Sequence, residues 1–396
     1  MSYFACLWLI TFFVVWLYED YTNAGYLALA MNITNIFYCT STYNIRAYQV
    51  SDIRGEYSDS EYMLARFLTC TASVVLCTIF IIVINYQGMQ RSIIFCYMLF
   101  RANEAFIDVL HGIDQKHWRM DYIGISFIAR GVSMLVAFIV LGWLWGFLAA
   151  VIGMLVVTSF VNLFYDLPRA KKLAKSLHFT ASCLFSLLKR CFPLMLVMLI
   201  STFIVSYSRY SLERIHGTEA LGIYASVIAP TVIVQLSATF IFSPLINLFA
   251  SYLNEANEKS FITIFSLCCV SIFGITLIIY IASLKLSEWG LSLLFGDSIR
   301  PYAHLLSGAV IVAGLTAYMW FMNMLFSIIR DMKGILYGNV IGALICFAIT
   351  DALLIKYGLA GANYTMIISQ GIAVFYLFIR FFWFFKTKHN NFHCLK

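Results

Sequence analysis

The sequence contains the stretch Met98-Leu-Phe-Arg-Ala-Asn-Glu-Ala-Phe-Ile-Asp-Val-Leu-His-Gly112, in which charged residues interrupt an apolar segment that begins near Ser92. Arg101, Glu104 and Asp108 are spaced three and four residues apart, so a helix would place all three along one face. At 1.5 Å per residue, Arg101 lies roughly 13 Å from Ser92, close to the middle of a bilayer if the segment spans it. A charge at that depth costs about 2.5–3.5 kcal/mol on insertion scales, so it normally faces a bundle interior or an aqueous cavity.

The residues alone leave two interpretations of this stretch open. It lines the pathway of an ion or an anionic substrate, or Arg101 and Glu104, one turn apart, form a structural ion pair that satisfies itself. Glu104 and Asp108 are the candidate ion-coupling residues, because a buried carboxyl group favours its protonated form unless an arginine holds it ionised.

The composition predicts an all-α integral membrane protein. Of the 396 residues, 62% are hydrophobic and 11% are charged, whereas an ordinary soluble domain has about 25% charged residues. The net charge of +7 does not predict a nucleic-acid partner, because the basic residues cluster in short loops between apolar runs. The cysteines and histidines show no metal-ligand spacing, so we expect buried free thiols, no metal and no cofactor. No cleavable signal peptide is expected.

The apolar runs predict twelve transmembrane helices. Their expected ranges are 2–18, 22–45, 62–85, 91–113, 122–141, 143–165, 190–212, 219–253, 261–284, 302–328, 334–355 and 361–385. Gly142-Trp143 is expected to form a tight hairpin between the fifth and sixth helices. The run 219–253 is longer than one crossing and contains Pro230 and Pro244, so we expect it to tilt, to kink or to end outside the membrane.

The distribution of positive charge predicts that both termini face the cytoplasm. Eighteen of the 26 Lys and Arg residues, Arg66 among them, fall in segments on the side of the N-terminus, and five fall on the opposite side. The basic cytoplasmic connector 166–189 separates an N-lobe (1–165, helices 1–6) from a C-lobe (190–385, helices 7–12), and 386–396 form a cytoplasmic tail. The predicted architecture is therefore two pseudo-symmetric six-helix lobes around a central cavity.

A short internal repeat supports this division. The sequence NAGYLALA at 23–30 resembles ALGIYASV at 220–227, with Gly25 and Gly222 in equivalent positions. An even number of crossings separates the two copies, which indicates a parallel repeat about an axis along the membrane normal.

The run Arg46-Ala-Tyr-Gln-Val-Ser-Asp52, between the second and third helices, is the most distinctive motif. Similar pieces spread over almost the whole chain are 104–115 with 119–126, 208–210 with Gly217 and 221–224, and 294–297. As a set they resemble the Wzx-type flippases of O-antigen and capsule repeat units, the polysaccharide branch of the MATE-like superfamily. Relatives usually have a fuller first helix with a polar lead, whereas this chain begins abruptly at Met1-Ser-Tyr.

The resemblance implies a MATE-like flippase rather than an enzyme, in the inner (plasma) membrane of a bacterium. The implied activity is translocation of undecaprenyl-pyrophosphate-linked oligosaccharides from the cytoplasmic to the outer leaflet, by alternating access coupled to an ion gradient. The implied partners are this lipid-linked glycan, the bilayer, a coupling cation (H⁺ or Na⁺) and other membrane proteins of polysaccharide assembly, but no nucleic acid.

Four arginines are candidate substrate-binding residues, because arginine stays charged and can bind phosphate oxygens with two hydrogen bonds at once. They are Arg46, Arg101, Arg130 and Arg209. Arg46 either contacts a phosphate at the cytoplasmic mouth or is a positive-inside anchor. Arg130 has no acid within one turn of its own helix, so its partner is a carboxylate of the preceding helix or the substrate. Arg209 is followed by Glu213 four residues later, and a local pair is the simpler interpretation.

Two other classes of protein remain as alternatives. A multidrug-type exporter of the same fold usually carries cations, which would favour an acidic cavity without deep arginines. A membrane enzyme, such as a polysaccharide polymerase or an acyltransferase, needs a reacting constellation, and the longest external stretch, 285–302, holds one Glu, one Asp and no His. A lipid II flippase shares the same physical requirements as the Wzx type. The acidic loop at 52–61 is expected to be solvated.

Overall fold

The computed structural model describes residues 2–52, 55–174, 181–242, 245–255 and 257–388. These residues are helical, and no strand occurs among them. The chain divides into two compact units: unit 1 consists of Met1–Ser206 with Thr218–Gly222, and unit 2 consists of Tyr207–Gly217 with Ile223–Lys396. The lobe boundaries at the connector 166–189 stay a prediction.

Unit 1 is built from eight helices and the first part of a ninth. They are α1 Ser2–Tyr18, α2 Tyr21–Thr42, α3 Ile45–Ser51, α4 Asp59–Val83, α5 Gly88–Lys116, α6 Met120–Trp145, α7 Phe147–Val161, α8 Leu167–Leu173 and α9 Ala181–His216. A π-helical segment, Asn162–Asp166, joins α7 to α8 without a break. Helix α5 packs against α2, α3, α4 and α7, so the charged stretch of the sequence lies on the central helix of unit 1.

Unit 2 continues from the end of α9 through seven further helices, although the first five residues of α10, Thr218–Gly222, belong to unit 1. They are α10 Thr218–Ile228, α11 Val232–Phe242, α12 Ile246–Asn254, α13 Glu258–Phe295, α14 Leu305–Ile328, α15 Met332–Tyr357 and α16 Ala360–Lys388. Short 3₁₀ segments lie at Ala229–Thr231 and Asp297–Tyr302. The core of the unit is aromatic, with the Phe265 ring stacked 4.2 Å from that of Phe381 and 5.8 Å from that of Phe321.

The helices confirm a multi-pass membrane protein. Nine helices in the described part of the chain are long and apolar enough to cross a membrane, and the shorter helix Tyr3–Tyr18 is also apolar. Helices α2 and α5 correspond to the two remaining predicted crossings and carry more polar residues. Within the described residues, each of the twelve predicted segments therefore overlaps helix. The described cysteines are free thiols, and most of them are buried.

Some predicted helix boundaries are wrong. The hairpin between the fifth and sixth crossings turns at Gly146 rather than at Gly142-Trp143, because α6 continues to Trp145. Gly146 has φ +85°, a conformation that glycine adopts without the steric cost that a Cβ would bring. Helix α13 continues to Phe295 instead of ending near residue 284. Its 38 residues span about 57 Å, well beyond a bilayer core.

In the run 219–253 the regular helix is interrupted at Pro230, which lies in the 3₁₀ segment between α10 and α11. Pro230 has no N–H to donate to the helical ladder, which is why the regular helix is interrupted there. Pro244, the other proline of the prediction, lies outside the described residues.

The two glycines of the proposed repeat lie against each other where the starts of α2 and α10 cross. A Cβ at Gly25 would overlap the carbonyl oxygen of Thr218, and a Cβ at Gly222 would overlap the carbonyl oxygen of Tyr21. Only glycine allows two backbones to approach this closely. The parallel repeat itself stays a prediction.

Candidate functional site

The charged stripe of α5 faces the interior of unit 1, where side chains from α1, α2 and α4 meet it. An Arg101 Nη donates to Glu104 at 2.6 Å and another donates to Asn35 of α2 at 3.0 Å. The Arg101 guanidinium also lies 3.7 Å from the ring centre of Tyr38. The structural ion pair considered from the sequence is therefore formed, yet Arg101 keeps 17% of its side chain exposed.

Asp108 lies two turns after Arg101 and forms ion pairs with two arginines from other helices. Arg46 donates to one carboxylate oxygen at 2.9 Å, and Arg66 of α4 donates to the other at 3.0 Å. Arg46 also donates to Gln115 at 3.0 Å. Its position depends on Tyr43 and Asn44, whose φ values of 45° and 52° end α2 and start the separate helix α3.

Arg66 corrects one interpretation of the sequence, which counted it among the cytoplasmic loop charges. The structure places it inside α4 with no exposed surface, and it also donates to the carbonyl oxygen of Ser41 at 2.9 Å. The signal that could have revealed this is a capping box: Ser58 and Glu61 each accept a hydrogen bond from the other's backbone N–H. A helix that begins at Asp59 places Arg66 about 10 Å along its axis.

Arg130 is buried on α6, with only 2% of its surface exposed. Its Nε donates to Ser126 at 3.2 Å, and its guanidinium lies 4.8 Å from the ring centre of Tyr3. The Tyr3 hydroxyl donates to Glu104, so one side chain of α1 connects Arg130 to the α5 carboxylate. No carboxylate within the described ranges lies within ion-pair distance of Arg130.

These residues form what we call the arginine stripe: Arg46, Arg66, Arg101, Arg130, Glu104 and Asp108. In the part of the chain that the structure describes, four guanidinium groups have only two carboxylates within 4 Å. Buried charges are normally paired, because desolvating an ion costs several kcal/mol. The stripe therefore carries positive charge that an anion would balance.

Arg209 lies on the part of α9 that belongs to unit 2, so unit 1 does not bring it together with the other three predicted arginines. It is half-buried. Its expected pairing with Glu213 stays a prediction.

The acidic loop after α3 is less solvated than expected. Asp52 is 8% exposed and accepts hydrogen bonds from the backbone N–H groups of Glu56 and Tyr57 and from the Tyr62 hydroxyl. Burial alone would raise the pKa of Asp52, but these three donors together hold that pKa below its ordinary value. Glu61 is buried as well, because it closes the capping box at the start of α4.

No group of three or more His, Cys, Asp and Glu side chains among the described residues is arranged to hold a metal ion. The site is therefore one of guanidinium groups, carboxylates, amides and tyrosines. Such groups can bind an anion or take part in ion exchange.

Comparisons with known proteins agree with this fold. The chain matches the family model described as polysaccharide biosynthesis protein over residues 5–253. It is similar to the structure of the lipid II flippase MurJ in an inward closed conformation, with a TM-score of 0.73, 13% identity, and coverage of 96% of this chain and 86% of that one. A search of curated proteins found no match.

Two transporters of the MATE family are also similar in structure. The Vibrio cholerae MATE transporter VcmN, as its D35N mutant, has a TM-score of 0.67 and 13% identity, with coverage of 99% of this chain and 95% of that one. A multidrug resistance MATE transporter of the MOP superfamily, in an inward-facing conformation, has a TM-score of 0.70 and 12% identity, with coverage of 97% and 95%. These structural neighbours are transporters and flippases rather than enzymes. The chain belongs to the polysaccharide biosynthesis protein family and has the MATE-like membrane fold.

Proposed function

We propose that the protein is a flippase of the bacterial plasma membrane that moves undecaprenyl-pyrophosphate-linked oligosaccharide repeat units from the cytoplasmic to the outer leaflet. The product would serve O-antigen or capsule biosynthesis. Family membership supports a role in polysaccharide assembly, and the fold is one found in transporters and flippases. Both termini are cytoplasmic in this proposal, as the positive charges of the loops predict.

The observation that carries the proposal is the excess of guanidinium groups over carboxylates in the arginine stripe. A pyrophosphate headgroup cannot cross hydrocarbon unaided, because removing a charge from water is too costly. Arginine compensates this cost well, since its planar fork matches the oxygens of a phosphate. In this proposal Arg101 and Arg130 bind the headgroup at mid-depth, Arg46 binds it near the cytoplasmic end, and Arg209 is a further contact.

Coupling to an ion gradient is part of the same proposal. Glu104 accepts a hydrogen bond from Arg101. Asp108 accepts hydrogen bonds from Arg46 and Arg66. A phosphate would compete with these carboxylates for the same donors, and an H⁺ or Na⁺ bound at a carboxylate would weaken its hold on the arginine. The ion would in this way control how many guanidinium groups are available to the headgroup.

A cationic cargo, as expected for a multidrug-type exporter, fits this interior poorly. The surplus guanidinium groups would repel it, and the two carboxylates that could attract it are already hydrogen-bonded to arginines.

The direct test is a flipping assay on the purified full chain in liposomes that contain the lipid-linked oligosaccharide. The fraction of glycan accessible to an added, impermeant glycosidase reports translocation. Loss of one charge-assisted hydrogen bond costs about 1.5–3 kcal/mol, so Arg101→Ala and Arg130→Ala should each lower the flipping rate about tenfold or more. Arg300→Ala is the matched control, because Arg300 is 58% exposed in unit 2.

The lysine variants separate charge from geometry. Arg101→Lys and Arg130→Lys should restore part of the rate if charge suffices, and none if two parallel hydrogen bonds are required. Full flipping by both alanine variants would contradict the proposed role of the stripe. Normal surface polysaccharide in a deletion strain without a second flippase would contradict the proposed function as a whole.

A further inference from the structure

A second polar group on α5 faces α7 and the π-helical segment that follows it. Asn162 donates to Asn103 of α5 at 2.6 Å. Two turns further along α5, His111 Nε2 lies 3.5 Å from a carboxylate oxygen of Asp166, which is longer than a normal hydrogen bond. Asp114 follows His111 on α5, three residues on. We call these five residues the α5–α7 polar seam.

The seam is buried, yet its hydrogen bonding is incomplete. Asn162 is 6% exposed, Asp114 and Asp166 are each 2% exposed, and His111 is 1% exposed. Each of the five side chains has a buried polar atom without a hydrogen-bond partner among the described residues. These atoms are Asn103 Nδ2, Asn162 Oδ1, His111 Nε2, Asp114 Oδ1 and Asp166 Oδ2. Such atoms are rare in native proteins, and a concentration of them in one seam indicates an occupant.

The local backbone explains why these side chains share one seam. The π-helical turn Asn162–Asp166 has wider spacing than an α-helical turn, and such turns occur frequently at functional sites. Both ends of the segment, Asn162 and Asp166, are buried, and the segment packs against α5. The chain then returns to regular helix at Leu167.

The chemistry of the unpartnered atoms selects the occupant. An amide N–H needs an acceptor, whereas the amide oxygen and the two carboxylate oxygens need donors, and only water satisfies both kinds of group at once. A metal ion does not fit, since no cluster of metal ligands occurs in the described ranges. Histidine beside aspartate is a pair that can accept a proton from water and return it.

We propose that the α5–α7 polar seam is a hydrated proton-binding site, in which His111 and Asp166 hold the transferable proton and waters bridge them to Asn103, Asn162 and Asp114. The site rests on the proposed function only in naming the proton as the coupling ion. The carboxylates of the arginine stripe differ from those of the seam, because Glu104 and Asp108 already accept hydrogen bonds from arginine side chains.

Charged groups of the neighbouring helices also act on the seam. Those that act on His111 or Asp114 are Arg46 of α3, His117 after α5, Arg130 and Asp121 of α6, and Arg169 of α8. The contact with Arg130 runs through Phe127, whose ring lies 5.2 Å from the His111 ring and 5.3 Å from the Arg130 guanidinium. Protonation of the seam would therefore change the electrostatic surroundings of the arginine stripe.

The test measures proton binding without any lipid-linked substrate, so its outcome is independent of flipping. The purified full chain is reconstituted in phosphatidylethanolamine–phosphatidylglycerol liposomes on a solid-supported membrane, and the charge displaced by a pH step is recorded. The wild type should give a transient current. Asp166→Asn, which preserves side-chain shape, and His111→Gln, which replaces the ring by a polar side chain that does not titrate, should each abolish it. The control Asp297→Asn, at a side chain 78% exposed, should leave it intact.

Three results would overturn the proposal. They are a wild type without a current at any pH step, a current that survives both seam substitutions in correctly assembled protein, and a current that responds to a Na⁺ step at constant pH instead. Glu104→Gln distinguishes the two polar groups of α5: loss of the current in this variant alone would assign the proton to the arginine stripe. If Asp166→Asn does not elute as a single species on size exclusion, His111→Gln decides the test. A protein that binds protons at the seam but does not flip glycan would contradict only the proposed function.

Discussion

The interiors of the two units are made of different chemistry on the same all-helical plan. In unit 1, guanidinium groups and carboxylates meet in the middle of the helices, and Arg66 and Arg130 are almost fully buried. In unit 2, stacked aromatic rings pack around Phe265 and Phe381. A helical membrane bundle therefore does not need buried charge to be packed.

The polar contacts of unit 2 follow the same contrast. Its buried hydrogen bonds join neutral groups, such as Tyr224 with Asn363 and Thr316 with Gln370. Of its ion pairs, Arg214–Asp351 leaves about half of each side chain exposed, and Asp331–Arg380, at the start of α15, leaves Arg380 31% exposed. Hydrogen bonds between neutral groups inside a membrane contribute about 0.6–2 kcal/mol without the desolvation cost of an ion. The charged interior of unit 1 thus carries a desolvation cost that unit 2 avoids with neutral hydrogen bonds. This cost supports a functional rather than a purely structural role for the charges.

Arg66→Met in unit 1 should have the largest effect on stability. The substitution leaves Asp108 with one partner and the Ser41 carbonyl without its arginine donor, and breaking a buried ion pair from one side typically costs about 3–5 kcal/mol. Thermal unfolding of the purified protein in detergent measures the loss. Flipping should fall as well, because Asp108 would then hold Arg46 alone and more tightly.

Phe265→Leu is the matched substitution in unit 2. It removes two stacked ring contacts, each worth about 0.5–1.5 kcal/mol beyond the buried area, so it should lower stability while leaving the flipping rate per folded molecule unchanged. Equal loss of flipping in both variants would remove the functional distinction between the two interiors.

The sequence predicted the helices well but their contacts poorly. Long apolar runs locate the helices, because a bilayer imposes a length and a composition on each segment that crosses it. The residues Arg101, Glu104 and Asp108 were identified because their spacing places them on one face of a single helix. The partners of Asp108 come from α3 and α4, and no local pattern records which helices become neighbours. The proximity of His111 to Asp166 is unpredictable for the same reason. Arg66 is a different case, because the capping box of Ser58 and Glu61 is a local pattern that places it inside α4.

Gly25→Ala should have the next largest effect. A Cβ there overlaps the backbone of Thr218, which cannot turn aside, and overpacking of this kind costs about 1–3 kcal/mol. Gly314 of unit 2 is the comparison, because a Cβ there meets only side-chain atoms of Thr276, the nearest at 2.6 Å, and a side chain can change rotamer. Gly124→Ala is the control, since nothing lies within 4 Å of its added Cβ. Thermal unfolding should rank Gly25→Ala above Gly314→Ala above Gly124→Ala, and equal losses at Gly25 and Gly314 would show that the α2–α10 crossing can relax.

The smallest effect concerns Asp331, which caps α15 at Gly334 and accepts a hydrogen bond from Arg380 Nε at 2.9 Å. Burial opposes its charge, but Arg380 and the Gly334 N–H together hold the pKa of Asp331 below its ordinary value. A carboxyl group with a lowered folded-state pKa contributes stability above its unfolded value of about 3.9 and loses it as the pH falls through the folded value. Asp331→Asn should therefore cost about 0.5–1 kcal/mol at neutral pH, because Arg380 is 31% exposed and solvent screens the pair.

The difference in unfolding temperature between the wild type and the variant should stay constant from about pH 8 to pH 5 and shrink below about pH 4. A difference that grew on acidification would mean that Asp331 is protonated in the folded protein. The contact between Asp331 and Arg380 would then be a hydrogen bond from Arg380 to a neutral carboxyl group rather than an ion pair.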